Sequence, residues 1–149
     1  FGFMVVPESL IETLSLAKYY TDTRSAYLEQ AALALFIKEG HYARHVRKVR
    51  KACQERQQAL IAAIQQFLTD VLTVQPTDSG IHVMCWLKAP WTEQSFIDQC
   101  FAINLAVQPL SRYCQQPYEK AAVLFGYAAH TPDEISMNIQ KLAQQIKHS

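Results

Sequence analysis

The sequence predicts an α/β fold in which a small, mainly antiparallel sheet is covered by helices and is preceded by one long helix. In the first part of the chain apolar residues recur at helical spacing, and from residue 41 that spacing continues for about seven turns. Beyond residue 70 short apolar runs alternate with turn residues, in the order β-β-α-β-β-α. Half of the 149 residues are hydrophobic, which is enough apolar material for one packed core.

The chain begins with an apolar, β-prone run at residues 1–6, which predicts a strand. Pro7 and Glu8 then suit the first turn of a helix, because proline and an acidic side chain are both favourable there. Apolar residues at helical spacing continue this helix to about Tyr20.

A second and a third helix follow. Asp22 and Thr23 offer an N-cap for a helix over residues 24–38, and Gly40 suits its C-terminal end. Over residues 41–67 apolar residues recur mostly three or four positions apart, which predicts the longest helix of the chain.

The second half of the sequence predicts four short strands. Residues 71–74 and 81–87 read as an antiparallel pair, because residues 76–80 between them have the composition of a turn. Residues 105–109 and 123–128 are the third and fourth predicted strands.

Two capped helices accompany these strands. Thr92 is the predicted cap of the first, and its predicted buried side chains are Phe96, Ile97, Cys100 and Phe101. Thr131, Pro132 and Glu134 combine an N-cap, a proline at the first helical position and a capping-box glutamate. They predict a final helix with an apolar stripe of Ile135, Ile139, Leu142 and Ile146.

Composition narrows the classes of function. With 14 Lys+Arg against 13 Asp+Glu, the net charge of +1 gives no global reason to bind nucleic acid or an anionic membrane. The apolar runs are much shorter than the roughly 20 residues that span a bilayer, so no membrane association is expected. The cysteines are widely spaced and form no C-x-x-C pair, so we expect reduced, mostly buried thiols in a cytoplasmic protein. They are Cys53, Cys85, Cys100 and Cys114.

The sequence contains no pattern for covalent, metal-dependent or phosphate-loop chemistry, so no catalytic and no metal-ligating residue is predicted. There is no G-x-S-x-G elbow and no glycine-rich phosphate loop. His41 and His45 are four residues apart, but Tyr42 stands where the metalloprotease motif requires glutamate. His82 lies in a predicted strand, where a structural histidine is the favoured interpretation over a proton-transfer group.

Two basic features remain. The long helix carries a cationic face, for which a solvated surface is favoured over phosphate binding because no aromatic residues interleave with it. Its members are Arg44, Arg47, Lys48, Arg50, Lys51 and Arg56. Arg112 follows a strand end in an irregular segment, and its guanidinium could bind a carboxylate or phosphate through two hydrogen bonds. An ordinary loop arginine is an equally weighted interpretation.

Five segments occur in an order that resembles one protein family. They are residues 1–7 (FGFMVVP), 30–34 (QAALA), 40–47 (GHYARHVR), 107–113 (VQPLSRY) and 124–128 (LFGYA). Together with the capped final helix, they resemble the C-terminal half of the aminotransferase-like domain of MocR-type, GntR-superfamily transcriptional regulators. The resemblance covers essentially the whole chain.

This resemblance implies the small, C-terminal lobe of a fold-type-I domain that binds pyridoxal 5'-phosphate and is fused behind a winged helix-turn-helix domain. Residues 1–40 would then be the end of the large cofactor domain, and residues 41–149 the long helix and the small α/β domain. In such proteins the Schiff-base lysine shortly precedes the strand that residues 1–6 resemble. None of the eight lysines lies there, so we expect no covalent attachment of the cofactor to this chain. They are Lys18, Lys38, Lys48, Lys51, Lys88, Lys120, Lys141 and Lys147.

The resemblance also bears on partners and on the site. Aminotransferases of this fold carry an arginine for the substrate carboxylate where this sequence has Leu124, so Arg112 is the best candidate to meet an effector's carboxylate. The implied partners are a small amine or amino-acid effector, a second copy of the chain in a homodimer, and DNA only through the winged-helix domain. A class I/II aminotransferase acting on an amino acid is the alternative function, and a ligand-free interaction module is a third, less favoured one.

Overall fold

The computed structural model describes residues 2–21, 26–75, 77, 80–116 and 119–148. The chain forms two compact units, Phe1–Lys48 and Val49–Ser149. No helix in the described ranges is both long and apolar enough to cross a membrane.

Helices dominate the first unit. Helix α1 spans Glu8–Thr21 and α2 spans Tyr27–Lys38, close to the predicted ranges. Gly40 ends α2 as predicted: its φ is +75°, and its N–H donates to the Ile37 carbonyl at 3.0 Å. Helix α2 begins three residues later than predicted, and its N-cap is Ala26, which makes no side-chain cap hydrogen bond. The predicted cap residues, Asp22 and Thr23, lie outside the described residues.

The predicted strand at the start of the chain is not formed over residues 2–6, which have no regular secondary structure. Phe1 lies outside the described residues. A strand needs a hydrogen-bonded neighbour, and the pairings described in the sheet involve only residues between Leu72 and Gly126. An apolar, β-prone run therefore stays without strand pairing here.

Helix α3, His41–Phe67, is the longest element, with 27 residues, as the apolar spacing predicts. Its buried residues are Leu60, Ala63 and Ile64, which recur three and four positions apart. Unlike this C-terminal part, residues 41–51 of the helix are exposed.

Within the described residues the sheet has four antiparallel strands, β1 (Leu72–Gln75), β2 (His82–Leu87), β3 (Gln108–Pro109) and β4 (Ala122–Gly126), in the order β1-β2-β4-β3. Strands β1, β2 and β4 lie close to their predicted positions. Much of the predicted turn at 76–80 lies outside the described residues.

Strand β3, Gln108–Pro109, is shorter than the predicted 105–109. The reason is that the residues before it end the preceding helix instead of pairing in the sheet. The Ile103 and Leu105 N–H groups both donate to the Cys100 carbonyl, and Asn104 adopts a left-handed φ of 58°.

Helices α4 (Glu93–Ala102) and α5 (Pro132–Lys147) begin with capping boxes, at Thr92 and Thr131. The prediction that Phe101 is buried was wrong, because its side chain is 80% exposed. It lies five residues after the buried Phe96, so helical geometry rotates it about 140° away from the core-facing side.

One core holds the second unit together. Its largest fully buried side chains include Phe96, Ile64, Leu68, Ile139 and Leu142. The Phe96 ring packs edge-to-face against both Trp91 and Phe125, with centroid separations of 6.1 and 6.2 Å.

Candidate functional site

Arg112 lies in a short 3-10 helix, Leu110–Tyr113, which directly follows β3. The side chain is exposed, and its Nη1 donates a 2.9 Å hydrogen bond to Oε1 of Gln108. Because the side chain of Gln108 is a neutral amide, this hydrogen bond orients the guanidinium without neutralising its charge.

A row of four side chains crosses the sheet beside Arg112. Gln75 is paired with Met84, Met84 with Leu124, and Leu124 with Gln108. Because paired residues of antiparallel strands point to the same face, the four side chains form one row on one face of the sheet.

This face lies opposite the core. The row is exposed or half-buried, whereas the alternating neighbours of Met84 and Leu124 in β2 and β4 are buried. These neighbours are Val83, Cys85, Val123 and Phe125. Gln108, the hydrogen-bond partner of Arg112, is paired with Leu124 in the sheet. Leu124 is the position for which the sequence resemblance implies a carboxylate-binding arginine in aminotransferases of this fold. The structure thus brings together the two positions that the sequence resemblance singled out.

Glu93, the first residue of α4, connects this helix with the 3-10 helix that carries Arg112 and with strand β4. Its Oε1 accepts the backbone N–H groups of Ser111 and Ala122, both at 3.3 Å, and its Oε2 accepts the Ser111 hydroxyl. Ser111 precedes Arg112 in the 3-10 helix, and Ala122 begins β4. One carboxylate therefore ties α4, the 3-10 helix and the sheet together.

The sequence alone did not indicate a functional role for Glu93. Its position at the start of a helix is explained by the favourable interaction of a first-turn carboxylate with the helix dipole. The partners lie 18 and 29 residues away in sequence, and no local pattern signals such contacts.

The lysines do not fit a covalent cofactor site. An amine that forms a Schiff base needs a lowered pKa, which burial in apolar surroundings provides. All eight lysines have exposed side chains, and Lys88 donates to the Thr69 carbonyl at 2.7 Å. None of the eight exposed lysines is therefore in the environment that a Schiff-base lysine needs.

The histidines form no metal site in the part of the chain that the structure describes, where no group of three or more metal-ligating side chains occurs. His41 contacts Glu39, with Nε2 and Oε2 3.2 Å apart, and its ring stacks on Phe36. His82 is exposed at the start of β2, opposite Gly126.

The cationic face of α3 is exposed from Arg44 to Lys51. Arg56 differs from the rest, because it is partly buried and its Nη1 donates to the Ala128 carbonyl just after β4. Its neighbour Gln57 donates to the Thr77 carbonyl at 2.9 Å. These two residues tie α3 to segments that follow two strands.

The four cysteines are free thiols, and Cys85 and Cys100 are fully buried. Burial raises the pKa of each of these two thiols to about 12, because a thiolate is poorly solvated in the core. Neither is therefore available as a nucleophile in the folded chain. Cys53 and Cys114 are half-buried.

Comparison with known proteins relates the chain to transcriptional regulators. It is 31% identical over 142 residues to the "Probable rhizopine catabolism regulatory protein MocR" of Rhizobium meliloti, covering 95% of this chain and 29% of that protein. It is 28% identical, over 95% of its length and 30% of the relative's, to the "Uncharacterized HTH-type transcriptional regulator YhdI" of Bacillus subtilis (strain 168). No family model matches the chain.

Comparison of structures gives an aminotransferase fold. LysN, the α-aminoadipate aminotransferase of Thermus thermophilus, superposes with a TM-score of 0.80 over 97% of this chain and 37% of its own, at 19% identity. The fold is thus that of part of a fold-type-I aminotransferase. The chain spans about 30% of the length of the curated relatives it matches. These comparisons confirm both the predicted fold class and the predicted resemblance.

Proposed function

We propose that this chain, which is related to MocR-type regulators and has the fold of the small lobe of an aminotransferase, is the effector-sensing end of a longer regulator that binds pyridoxal phosphate. The observation that carries the proposal is the 31% identity to MocR over 95% of the chain, in a structure with the aminotransferase fold. The regulator would bind DNA through a winged-helix domain outside this chain, act in the cytoplasm and form a homodimer.

Within that protein we assign residues 1–40 to the end of the large cofactor domain and residues 41–149 to the long helix and the small lobe. The crystal structure of LysN is a complex with N-(5'-phosphopyridoxyl)-L-leucine, so an aminotransferase of this fold accommodates the cofactor together with an amino acid. When bound, pyridoxal phosphate supplies an aldehyde that reacts reversibly with amines. Its covalent anchor would belong to another part of the longer protein, since the lysines of this chain are exposed.

The residue proposed to meet the effector's carboxylate is Arg112. A guanidinium has five N–H donors, and the hydrogen bond to Gln108 uses one of them. Leu124, beside Gln108 in the sheet, has an apolar side chain and cannot bind a carboxylate. The charge for this task would therefore come from Arg112 instead.

Replacing Arg112 by alanine in the full-length protein tests this assignment. Arg112→Ala should weaken binding of an amino-acid effector by roughly 1.5–3 kcal/mol, because a charge-assisted contact is lost. The measurement is the absorbance change of the bound pyridoxal phosphate when the standard L-amino acids and their decarboxylated amines are added. Amines should bind equally well to the variant and to the parent protein.

A matched control is Arg50→Ala, which removes an exposed arginine from α3. It should leave both classes of ligand unaffected. Equal binding of amino acids to the Arg112→Ala variant and the parent protein would remove Arg112 from the site.

The second candidate function is that of an aminotransferase acting on an amino acid, which the fold comparison favours. It predicts turnover of an amino acid with a 2-oxo acid by the full-length protein. If the protein is a regulator, we expect amino-acid-dependent DNA binding and an additional basic domain of roughly 70 residues. Sustained turnover without any DNA binding would favour the enzyme.

A further inference from the structure

We propose that Glu93 is a positioning residue for Arg112, holding the 3-10 helix that carries the guanidinium at a fixed place beside the sheet. The inference rests on the proposed function of Arg112, because its consequence is read in the binding of a carboxylate. Glu93 accepts hydrogen bonds from Ser111 and Ala122, and none of its described hydrogen bonds involves Arg112 itself.

Arg112 is restrained at two places. At the tip of its side chain, Nη1 is bonded to Gln108, which belongs to β3. At its base, the preceding residue, Ser111, donates both its backbone N–H and its hydroxyl to Glu93. A short helix of four residues has few internal hydrogen bonds of its own, so these external bonds help to fix its position.

The third bond of Glu93 links this restraint to the sheet. Oε1 accepts the Ala122 N–H as well as the Ser111 N–H, and Ala122 is a fully buried residue at the start of β4. Bonds to an ionised acceptor are about twice as strong as neutral ones, which suits a carboxylate for holding several donors. Leu124 lies two residues further along β4, so one carboxylate fixes the 3-10 helix relative to the strand that lines the proposed site.

Removal of the carboxylate should therefore loosen the position of Arg112 without removing the guanidinium. The effect on a ligand should depend on whether that ligand has a carboxylate. A loss of general stability would instead weaken amino acids and amines alike, which separates positioning from a merely structural role.

The test uses the full-length protein loaded with pyridoxal phosphate, with the standard L-amino acids and their decarboxylated amines as probes. Glu93→Ala should weaken binding of amino acids about 3- to 10-fold, as expected for the loss of hydrogen bonds that orient a contact, and leave amines unchanged. Glu93→Gln should restore part of the affinity, because an amide oxygen can still accept the two backbone N–H groups. Ser111→Ala should reproduce a smaller part of the loss.

The matched control is Glu134→Ala, which removes the first-turn carboxylate of α5 and its bond to the Thr131 N–H. It should leave the preference for carboxylates unchanged. Hydrogen exchange provides a readout independent of the ligand: the amides of Ser111 and Ala122 should exchange faster in Glu93→Ala and not in Glu134→Ala.

The double variant Glu93→Ala with Arg112→Ala should bind amino acids no more weakly than Arg112→Ala alone, because Glu93 acts through Arg112. Additive losses of affinity in the double variant, or equal losses for amines, would overturn the role of Glu93.

If Arg112→Ala weakens the binding of amino acids while neither Glu93→Ala nor Glu93→Gln does, the positioning role fails and the assignment of Arg112 stands. If Arg112→Ala itself has no effect, both fail. Should Glu93→Ala not fold, Glu93→Gln and Ser111→Ala decide by the same criteria.

Discussion

The two compact units contain similar helical patterns but differ in what those patterns bury. Helices α1 and α2 have no buried residue, and large apolar side chains such as Leu16 and Phe36 are exposed on them. Helices α4 and α5 carry apolar stripes of the same kind, and Phe96, Cys100, Ile139 and Leu142 are buried there. An apolar stripe thus predicts a helix in both units, but it predicts burial only where a sheet is present to receive it.

The difference shows which interactions form each unit. Propensity and end signals such as Gly40 are the determinants that can be identified for α1 and α2, since neither helix has a fully buried residue. In the second unit, the same local signals are joined by a core of buried residues. We therefore expect mutations of apolar residues to have unequal effects in the two units, and the following experiments test that expectation.

The largest effect is expected for Phe96→Ala. This side chain is fully buried between Trp91 and Phe125, so its removal should destabilise the second unit by about 3–5 kcal/mol. Leu16→Ala is the counterpart in the first unit, where the side chain is 56% exposed, and it should change stability by no more than about 0.5 kcal/mol.

Chemical denaturation followed by circular dichroism and tryptophan fluorescence measures both variants. The two tryptophans, Trp86 and Trp91, lie in the second unit and report on it directly. Equal shifts of the denaturation midpoint for the two variants would contradict the contrast between the units.

A smaller effect is expected for Gly40→Ala, which tests whether local signals act in the first unit. A Cβ at this position meets no atom within 4 Å, but the φ of +75° is unfavourable for alanine and should cost roughly 1 kcal/mol. Gly2→Ala is the matched control, because a Cβ there also meets nothing and its φ is not positive. Thermal melting of the helical circular dichroism signal measures both, and equal melting temperatures would show that the end of α2 is not set by Gly40.

The smallest effect concerns the pH dependence of the α5 cap. Hydrogen bonds from the backbone N–H and the hydroxyl of Thr131 hold the pKa of Glu134 below its ordinary value of 4.5. Because the folded pKa is the lower one, the carboxylate contributes stability above the unfolded value, and this contribution is lost as the pH falls through the folded pKa.

Glu134→Gln should therefore flatten the fall in stability of the second unit below about pH 4.5. The measurement is the free energy of unfolding from urea titrations at neutral and at acidic pH. Asp133→Asn, which removes a first-turn carboxylate outside the capping box, is the control. An unchanged acid dependence in the Glu134→Gln variant would show that this cap does not contribute to it.

Much of the fold follows from local features of the sequence. Several local signals are readable within a few residues and lie where they were predicted: the cap at Thr92, the capping box of α5, the glycine at the end of α2 and the apolar spacing of α3. One failure occurs where a distant partner decides, because residues 2–6 are β-prone but have no strand to pair with. The other two are local: residues 103–105 end α4 through bonds to the Cys100 carbonyl instead of extending β3, and Phe101 lies about 140° around the helix from Phe96.

The same division holds for the candidate site. The sequence by itself determined the helices, the alternation of the strands and the resemblance in which Arg112 and Leu124 stand out, because helix caps, turn residues and side-chain periodicity act over a few neighbouring residues. Only the tertiary structure decided that Gln108 lies between these two residues and that Glu93 holds Ser111 and Ala122. Such contacts depend on strand register and on chain segments up to 29 residues apart, and pairing across that distance is set by the packing of the whole unit.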